Sequence, residues 1–321
     1  MKVLVTGGAG FIGSHCVKRL LDRGDSVVCL DNFNDYYDPQ RKEENVADFL
    51  VRAEQGDVNF ELVRGDILDE ELLDALAEKH SFDKVLHLAA RAGVRPSIEQ
   101  PLLYQQVNVE GTLKILEMAR KYGINDVVMA SSSSVYGCHP EENFAEHHEL
   151  TDPISPYAAS KRATELFAAV YHNLFGMNVT CLRFFTVYGP GNRPDMAVYL
   201  FTDRIARGES IARFGDGSTE RDYTYVEDIV SGVVASLDRP MGYEVINLGN
   251  NSPVKLRDLI GTIEKLLGKK AVIVEKPLQD GDVPRTYADI EKAKRLLDFE
   301  PKTGIEDGLA KVIEWYNKKF L

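Results

Sequence analysis

The chain opens MKVLVTGGAGFIG, so a short apolar strand runs straight into glycines at 7, 10 and 13, and a helical pattern begins at once. Gly7 permits a tight turn, Gly10 lets backbone approach a diphosphate, and Gly13 lets the helix pack closely on its strand. The helix N-terminus, with its free N–H groups, then faces the negative charge. The helical face Phe11, Ile12, His15, Cys16, Arg19, Leu20 follows, and a second strand, SVVCLD, ends in Asp31. An acid about 20 residues beyond the glycine turn is placed to accept the ribose hydroxyls of a dinucleotide. The next residue is Asn32, where a binder of a 2'-phosphate usually offers Arg, so the pattern points to NAD rather than NADP.

Strand-like runs at 3–6, 27–31, 60–63, 84–88, 126–131 and 179–184 alternate with helical patterns near 11–23, 70–79, 102–121 and 157–175. That rhythm predicts an α/β fold, a Rossmann-like doubly wound parallel sheet. The polar, helix-prone stretch 35–55 reads as a surface insertion closing over the cofactor edge. After Phe184 the rhythm breaks into loops rich in Gly, Pro and Asp, which predicts a smaller C-terminal α/β substrate-binding lobe. The helix near 226–237 and the strand near 244–248 return to the sheet. The expected division is therefore 1–180 with about 222–250 as the NAD-binding domain, and 181–221 with 251–321 as the substrate lobe.

At 321 residues, 44% hydrophobic and 27% charged, the chain can bury cores for both lobes. Its formal net charge of −12 argues against nonspecific nucleic-acid binding, which relies on Lys and Arg neutralising phosphates. Cys16, Cys29, Cys138 and Cys181 are isolated and form no CxxC pair, which suggests thiols in a reducing compartment. A charged-then-apolar leader and an apolar run of about 18 residues are both lacking, so the expectation is a cytoplasmic protein with no membrane span. His139, His147 and His148 share a loop with Glu141, Glu142, Glu146 and Glu149, and are read as solvated side chains rather than metal ligands.

Tyr157 and Lys161 in YAASK stand at i and i+4, on one face of a helix opened by Pro156. A neighbouring ammonium and a positive nicotinamide ring both favour the phenolate, so Tyr157 can become a base near neutral pH. Lys161 would also hold the ribose. The SSSSVYG run places serine hydroxyls at the carboxyl end of a sheet strand, where such folds bind ligands, and Ser132 is the candidate to polarise a substrate oxygen.

Through GGAGFIG, LAAR, SSSSVYG and YAASK, the chain resembles the extended short-chain dehydrogenase/reductase family over essentially its whole length. The resemblance implies Ser132, Tyr157 and Lys161 as the catalytic set, Asp66 and Ile67 beside the adenine, and Leu88, Ala89 and Ala90 along the cofactor. Asn108 matches a position better viewed as structural. Relatives of this kind are mostly nucleotide-sugar epimerases, dehydratases, decarboxylases or reductases, and they commonly dimerise through helices near 102–121 and 157–175. The stripe Leu166, Val170, Leu174 is accordingly read as packing or homodimer contacts.

All these reactions can start alike, with the tyrosinate taking a hydroxyl proton while a hydride leaves the sugar carbon. Dehydratases of the family typically carry Asp-Glu where this chain has Ser133-Ser134, and uronate decarboxylases carry Glu at the position of Ser134. Without those acids, return of the hydride to the other face, a 4-epimerisation, is favoured. The segment from Thr186 through Arg193 to Met196 resembles that of the UDP-glucuronate 4-epimerase branch; many hexose epimerases have Asn at the Thr186 position. Thr186 and Ser133 are short hydroxyls suited to a carboxylate, and Arg193 offers a charge-assisted contact to a carboxylate or phosphate, or a surface ion pair with Asp195 or another acid. Arg95 is a candidate for the sugar or its carboxylate. Arg221, with the loop carrying Gln279 and Asp282 and with Arg285, is the candidate for the UDP diphosphate. The expected substrates are UDP-glucuronate and UDP-galacturonate; the alternatives are a 4-epimerase of neutral UDP-hexoses or their N-acetyl forms and a dinucleotide-sensing protein without chemistry, though such proteins often lose the Tyr or Lys that this chain keeps.

Overall fold

The computed structural model describes residues 1–139, 143–278 and 283–320. Strands β1 (Lys2–Thr6), β2 (Ser26–Asp31), β3 (Phe60–Arg64), β4 (Lys84–His87), β5 (Asp126–Ser132) and β6 (Asn178–Phe184) fall on the six runs anticipated above. Six further strands follow among the described residues: β7 (Thr186–Tyr188), β8 (Ser210–Phe214), β9 (Glu220–Tyr225), β10 (Tyr243–Leu248), β11 (Pro253–Lys255) and β12 (Val272–Lys276). The large sheet has seven strands in the order β10-β6-β5-β4-β1-β2-β3, and every pairing in it is parallel. Val3, Leu4 and Val5 of β1 are fully buried because helices cover both faces. The strand order reverses beside β1, and the crevice opened there at the carboxyl ends is where such sheets take ligands.

Helices α1 (Phe11–Asp22), α2 (Gln40–Glu54), α3 (Glu70–His80), α4 (Val94–Glu99), α5 (Pro101–Tyr104), α6 (Gly111–Lys121) and α7 (Pro156–Phe175) connect these strands. The run read as one helix near 102–121 is broken into α5, a π-helical turn at Gln105–Glu110, and α6. Asn108 sits in that turn, buried, and bonds the backbone N–H and carbonyl of Arg91 at 2.8 and 3.0 Å and Ser160 Oγ at 3.0 Å. It thereby ties the end of β4 to α7, which fits the structural part anticipated for it.

Beyond β6 only β10 joins the large sheet; β9 pairs with β7 and β11 in a three-stranded sheet, and β8 pairs with β12. The helix Val226–Asp238 packs back on α1. Three of the thiols, Cys16, Cys29 and Cys181, are buried, whereas Cys138 is exposed. Among the described residues no helix is long and apolar enough to cross a membrane.

Candidate active site

Geometry leaves the glycine turn no room for side chains. Gly7 has φ +70°, and a Cβ there would lie 2.7 Å from the Ala89 backbone nitrogen; on Gly13 it would lie 2.1 Å from the Gly7 carbonyl. A Cβ on Gly10 would sit 3.2 Å from that same carbonyl. Helix α1 has no acidic residue in its first turn, and Gly10 caps it without a side chain, so its N–H groups face the crevice. The turn is thus built for a diphosphate, and the residues present fit a dinucleotide.

Asp31 ends β2 buried, accepting from Lys42 Nζ at 3.1 Å and from the Phe33 N–H at 2.9 Å, both on Oδ1. Lys42, equally buried, comes from the stretch read above as a surface insertion. That segment is part of the cradle: α2 turns Lys42, Val46 and Phe49 inward, and Asn45 Nδ2 donates to the Ala9 carbonyl at 2.9 Å. A lone Lys on an apolar i, i+4, i+7 stripe was the signal for it. Asn32 Nδ2 donates to Asp66 Oδ2 at 2.8 Å, and Asp66 and Ile67 line the crevice beyond Asp31.

One cleft of about 520 Å³ is lined by Gly7, Gly10, Phe11, Ile12 and Gly13, by Asp31, Asn32, Asp66 and Ile67, and by Leu88, Ala89 and Ala90. It continues past Ser132, Ser133, Tyr157 and Lys161 to Thr186, Asn192 and Arg193. The anticipated cofactor positions and the anticipated chemical group therefore share a single space. Ser155 caps α7, its Oγ accepting from the Ala158 N–H at 3.1 Å, and Pro156 takes the first turn. This start carries Tyr157 and Lys161 across the end of β5.

Burial raises the Tyr157 phenol above its ordinary value, opposed by a hydrogen bond with Ser132 and by the charge of Arg193. Lys161 Nζ donates to the Ala130 carbonyl at 2.8 Å. Burial pushes Lys161 down to about 8, while Cys181 and Glu165 work in the other direction. Tyr104 stands edge-on to Tyr157, ring centroids 6.2 Å apart, and its hydroxyl donates to the Ala92 carbonyl at 2.8 Å.

Arg193 makes the ion pair that its sequence allowed: Nε and Nη2 donate to the two Asp195 oxygens at 3.0 and 2.7 Å. It lies over the Tyr36 ring, 5.2 Å from the centroid, and still borders the cleft. Burial alone would raise the Asp195 carboxyl, but Arg193 holds it below the usual range. Thr186 opens β7, paired with Tyr223 of β9, and borders the cleft that Ser133 also lines.

Arg95, the candidate for the sugar or its carboxylate, and the described candidates for the UDP diphosphate are not among the residues that line this cleft. Arg95 sits on α4 with its guanidinium over the Phe214 ring, 5.1 Å from the centroid, rather than in the cleft lining. Arg221 on β9 donates to the Glu220 carbonyl at 2.9 Å, and Arg285 Nε lies 3.0 Å from Glu220 Oε2, an ion pair without hydrogen-bond alignment. Gln279 and Asp282 fall outside the described residues.

Comparison with known proteins agrees with this geometry. Residues 4–312 match the family described as GDP-mannose 4,6 dehydratase. A UDP-glucuronate 4-epimerase of Thermodesulfobacterium geofontis is 43% identical over 97% of this chain and 95% of its own length. The structure of a UDP-glucuronic acid 4-epimerase from Bacillus cereus, in complex with UDP-glucuronic acid and NAD, superposes with a TM-score of 0.92 at 34% identity, covering both chains fully. A UDP-glucose 4-epimerase from Thermotoga maritima, with UDP-glucose, superposes with a TM-score of 0.91 at 33% identity, again over the whole of both chains.

Proposed function

Starting from a chain that belongs to the GDP-mannose 4,6 dehydratase family of extended short-chain dehydrogenase/reductases, we propose that it interconverts UDP-glucuronate and UDP-galacturonate by inverting C4, with NAD bound in the cleft. The observation that carries this reading is the set of groups around Tyr157: Ser132, Ser133, Thr186 and Arg193 border the same space, and positions 133 and 134 are serines. No carboxylate stands at 133 or 134 to expel water or assist loss of carbon dioxide, so the ketone formed at C4 has one productive fate. The near-equal superposition on uronate and neutral-sugar epimerases means that the fold supports both; Thr186 and Arg193 favour the uronate.

Bound NAD+ supplies a reversible hydride acceptor for C4. The glycine turn and α1 hold its diphosphate, Asp31 and Lys42 its adenosine ribose, and Asp66 with Ile67 its adenine. Tyr157 removes the proton of the C4 hydroxyl and gives it back after the sugar has turned over, while Ser132 hydrogen-bonds the same oxygen. The Tyr157 phenol starts above its ordinary value, so the positive charges of nicotinamide and Lys161 have to offset its burial. Lys161 holds the ribose hydroxyls within reach of Tyr157. Arg193 reaches a sugar carboxylate by releasing or sharing Asp195. Arg221 and Arg285, helped by Gln279 and Asp282, serve the UDP diphosphate.

The reading includes a cytoplasmic homodimer. Leu166, Val170 and Leu174 of α7 are 53, 44 and 69% exposed and Leu102 of α5 is 82% exposed, an apolar face suited to a second copy. The direct test of the function supplies UDP-glucuronate, UDP-glucose and UDP-N-acetylglucosamine in parallel and follows C4 configuration by NMR. Conversion of the uronate with little conversion of the other two is expected. Turnover confined to the neutral sugars refutes the assignment.

A further inference from the structure

Asn192 lies on the loop after β7, 1% exposed and bordering the cleft, yet its amide nitrogen and amide oxygen both lack a hydrogen-bond partner. Native proteins leave few such groups. The other buried side-chain atoms without a hydrogen bond among the described residues, on His80, Arg213 and Arg285, belong to side chains outside the cleft lining. We propose that Asn192 is a binding residue whose amide donates to a diphosphate, that of the dinucleotide. The proposal rests on the NAD reading above and adds a contact that links the substrate side of the cleft to the cofactor.

The placement of the loop argues for the dinucleotide rather than the sugar. The Asn192 N–H donates to the Gly189 carbonyl at 3.2 Å, and the Pro190 carbonyl meets His15 Nε2 of α1 at 2.9 Å. A Cβ on Gly191 would lie 3.7 Å from Asn45 Oδ1 and 4.0 Å from the Phe11 ring. Asn45 in turn bonds Ala9 in the glycine turn at 2.9 Å, so the loop is stitched to the elements that hold a diphosphate. The next residue, Arg193, is engaged on the other side by Asp195 and Tyr36, toward the sugar end.

A neutral amide suits this position. The N–H groups at the start of α1 already carry the positive potential there, and an added donor strengthens binding without burying another charge. Because the amide holds no hydrogen bond, rotating it toward a bound phosphate oxygen breaks none. Its oxygen is then free to accept from a ribose hydroxyl.

Both NAD and a UDP-sugar carry a diphosphate, so the test separates them. Full-length wild-type protein, Asn192→Ala and Asn192→Asp are loaded with radiolabelled NAD and chased with excess unlabelled NAD, and UDP affinity is measured by calorimetry on the NAD-loaded proteins. Loss of one hydrogen bond to a charged group predicts about tenfold faster NAD release in Asn192→Ala. Release is faster still in Asn192→Asp, whose carboxylate repels phosphate, and UDP affinity is unchanged in both. The NAD-free Asn192→Ala protein should melt no lower than wild type, since no bond is removed. Unchanged NAD release in both variants overturns the proposal, as does weakened UDP binding with unchanged NAD release. A fall in the NAD-free melting temperature of Asn192→Ala also overturns it, because the amide would then have a partner in the protein. Wild-type protein that retains no NAD overturns the cofactor reading itself, a distinguishable failure.

Discussion

Thr186 and Ser133 offer hydroxyls to the cleft, and in the proposed reading they grip the sugar carboxylate, a grip that the chemistry makes necessary. Oxidation at C4 of a uronate creates a β-keto acid, which loses carbon dioxide fastest when its C5–C6 bond lies parallel to the carbonyl π orbitals. Hydrogen bonds that hold the carboxylate away from that alignment protect the sugar. Thr186→Val is therefore expected to slow epimerisation about tenfold, as for a lost charge-assisted bond, and to raise carbon dioxide release. If both stay at wild-type values with UDP-glucuronate, the carboxylate is gripped elsewhere. Lys161 gives a second prediction. Its folded value is about 8 against an ordinary 10.5, so between those limits the unfolded chain binds the extra proton and stability rises with pH. The contribution is roughly 3 kcal/mol across the window. Urea unfolding of wild type and Lys161→Met from pH 7.5 to 10 checks it: the difference between them should shift with pH in that sense, and a flat difference contradicts the burial argument.

At the scale of elements, the glycine turn and α7 were legible from sequence because their requirements are local. Spacing alone puts Tyr157 and Lys161 on one helical face, and the turn after β1 tolerates no Cβ at Gly13, which would lie 2.1 Å from the Gly7 carbonyl. Gly13→Ala should accordingly lose retained NAD, measured by absorbance of the denatured supernatant. What sequence could not reveal was set by chain segments meeting from a distance. Lys42 joins Asp31 only because α2 packs its apolar stripe against the sheet, and Arg95 is drawn to Phe214 at the end of β8. The π-turn that sets Asn108 inward left no periodic trace, since it lies within one continuous helical pattern. Helix α7 also presents the exposed Leu166 and Leu174. Charging both, Leu166→Glu with Leu174→Glu, should yield a monomer in sedimentation while the fold by circular dichroism persists. A monomeric wild type would remove that interface from the account.

Across the whole molecule, a buried ionic cluster joins the catalytic strand end to the sheet. Glu165 on α7 accepts from Arg183 of β6 at 2.8 and 2.9 Å and from Ser131 of β5 at 2.6 Å, and Arg183 donates to the Tyr136 hydroxyl at 2.8 Å. The Tyr136 hydroxyl donates onward to Asn247 of β10 at 2.7 Å. Glu165→Ala would strand the Arg183 charge and should cost roughly 3–5 kcal/mol in denaturant unfolding; a loss below about 1 kcal/mol would show that water reaches Arg183. This cluster holds α7 over β5, and so holds Tyr157 beside Ser132, in a protein whose central claim is a hydride borrowed from and returned to one carbon. The most direct measurement of that claim follows deuterium placed at C4 of UDP-glucuronate, with NMR of the sugar and of the solvent. The account predicts UDP-galacturonate that keeps its deuterium at C4. Inversion accompanied by loss of deuterium to water would contradict it.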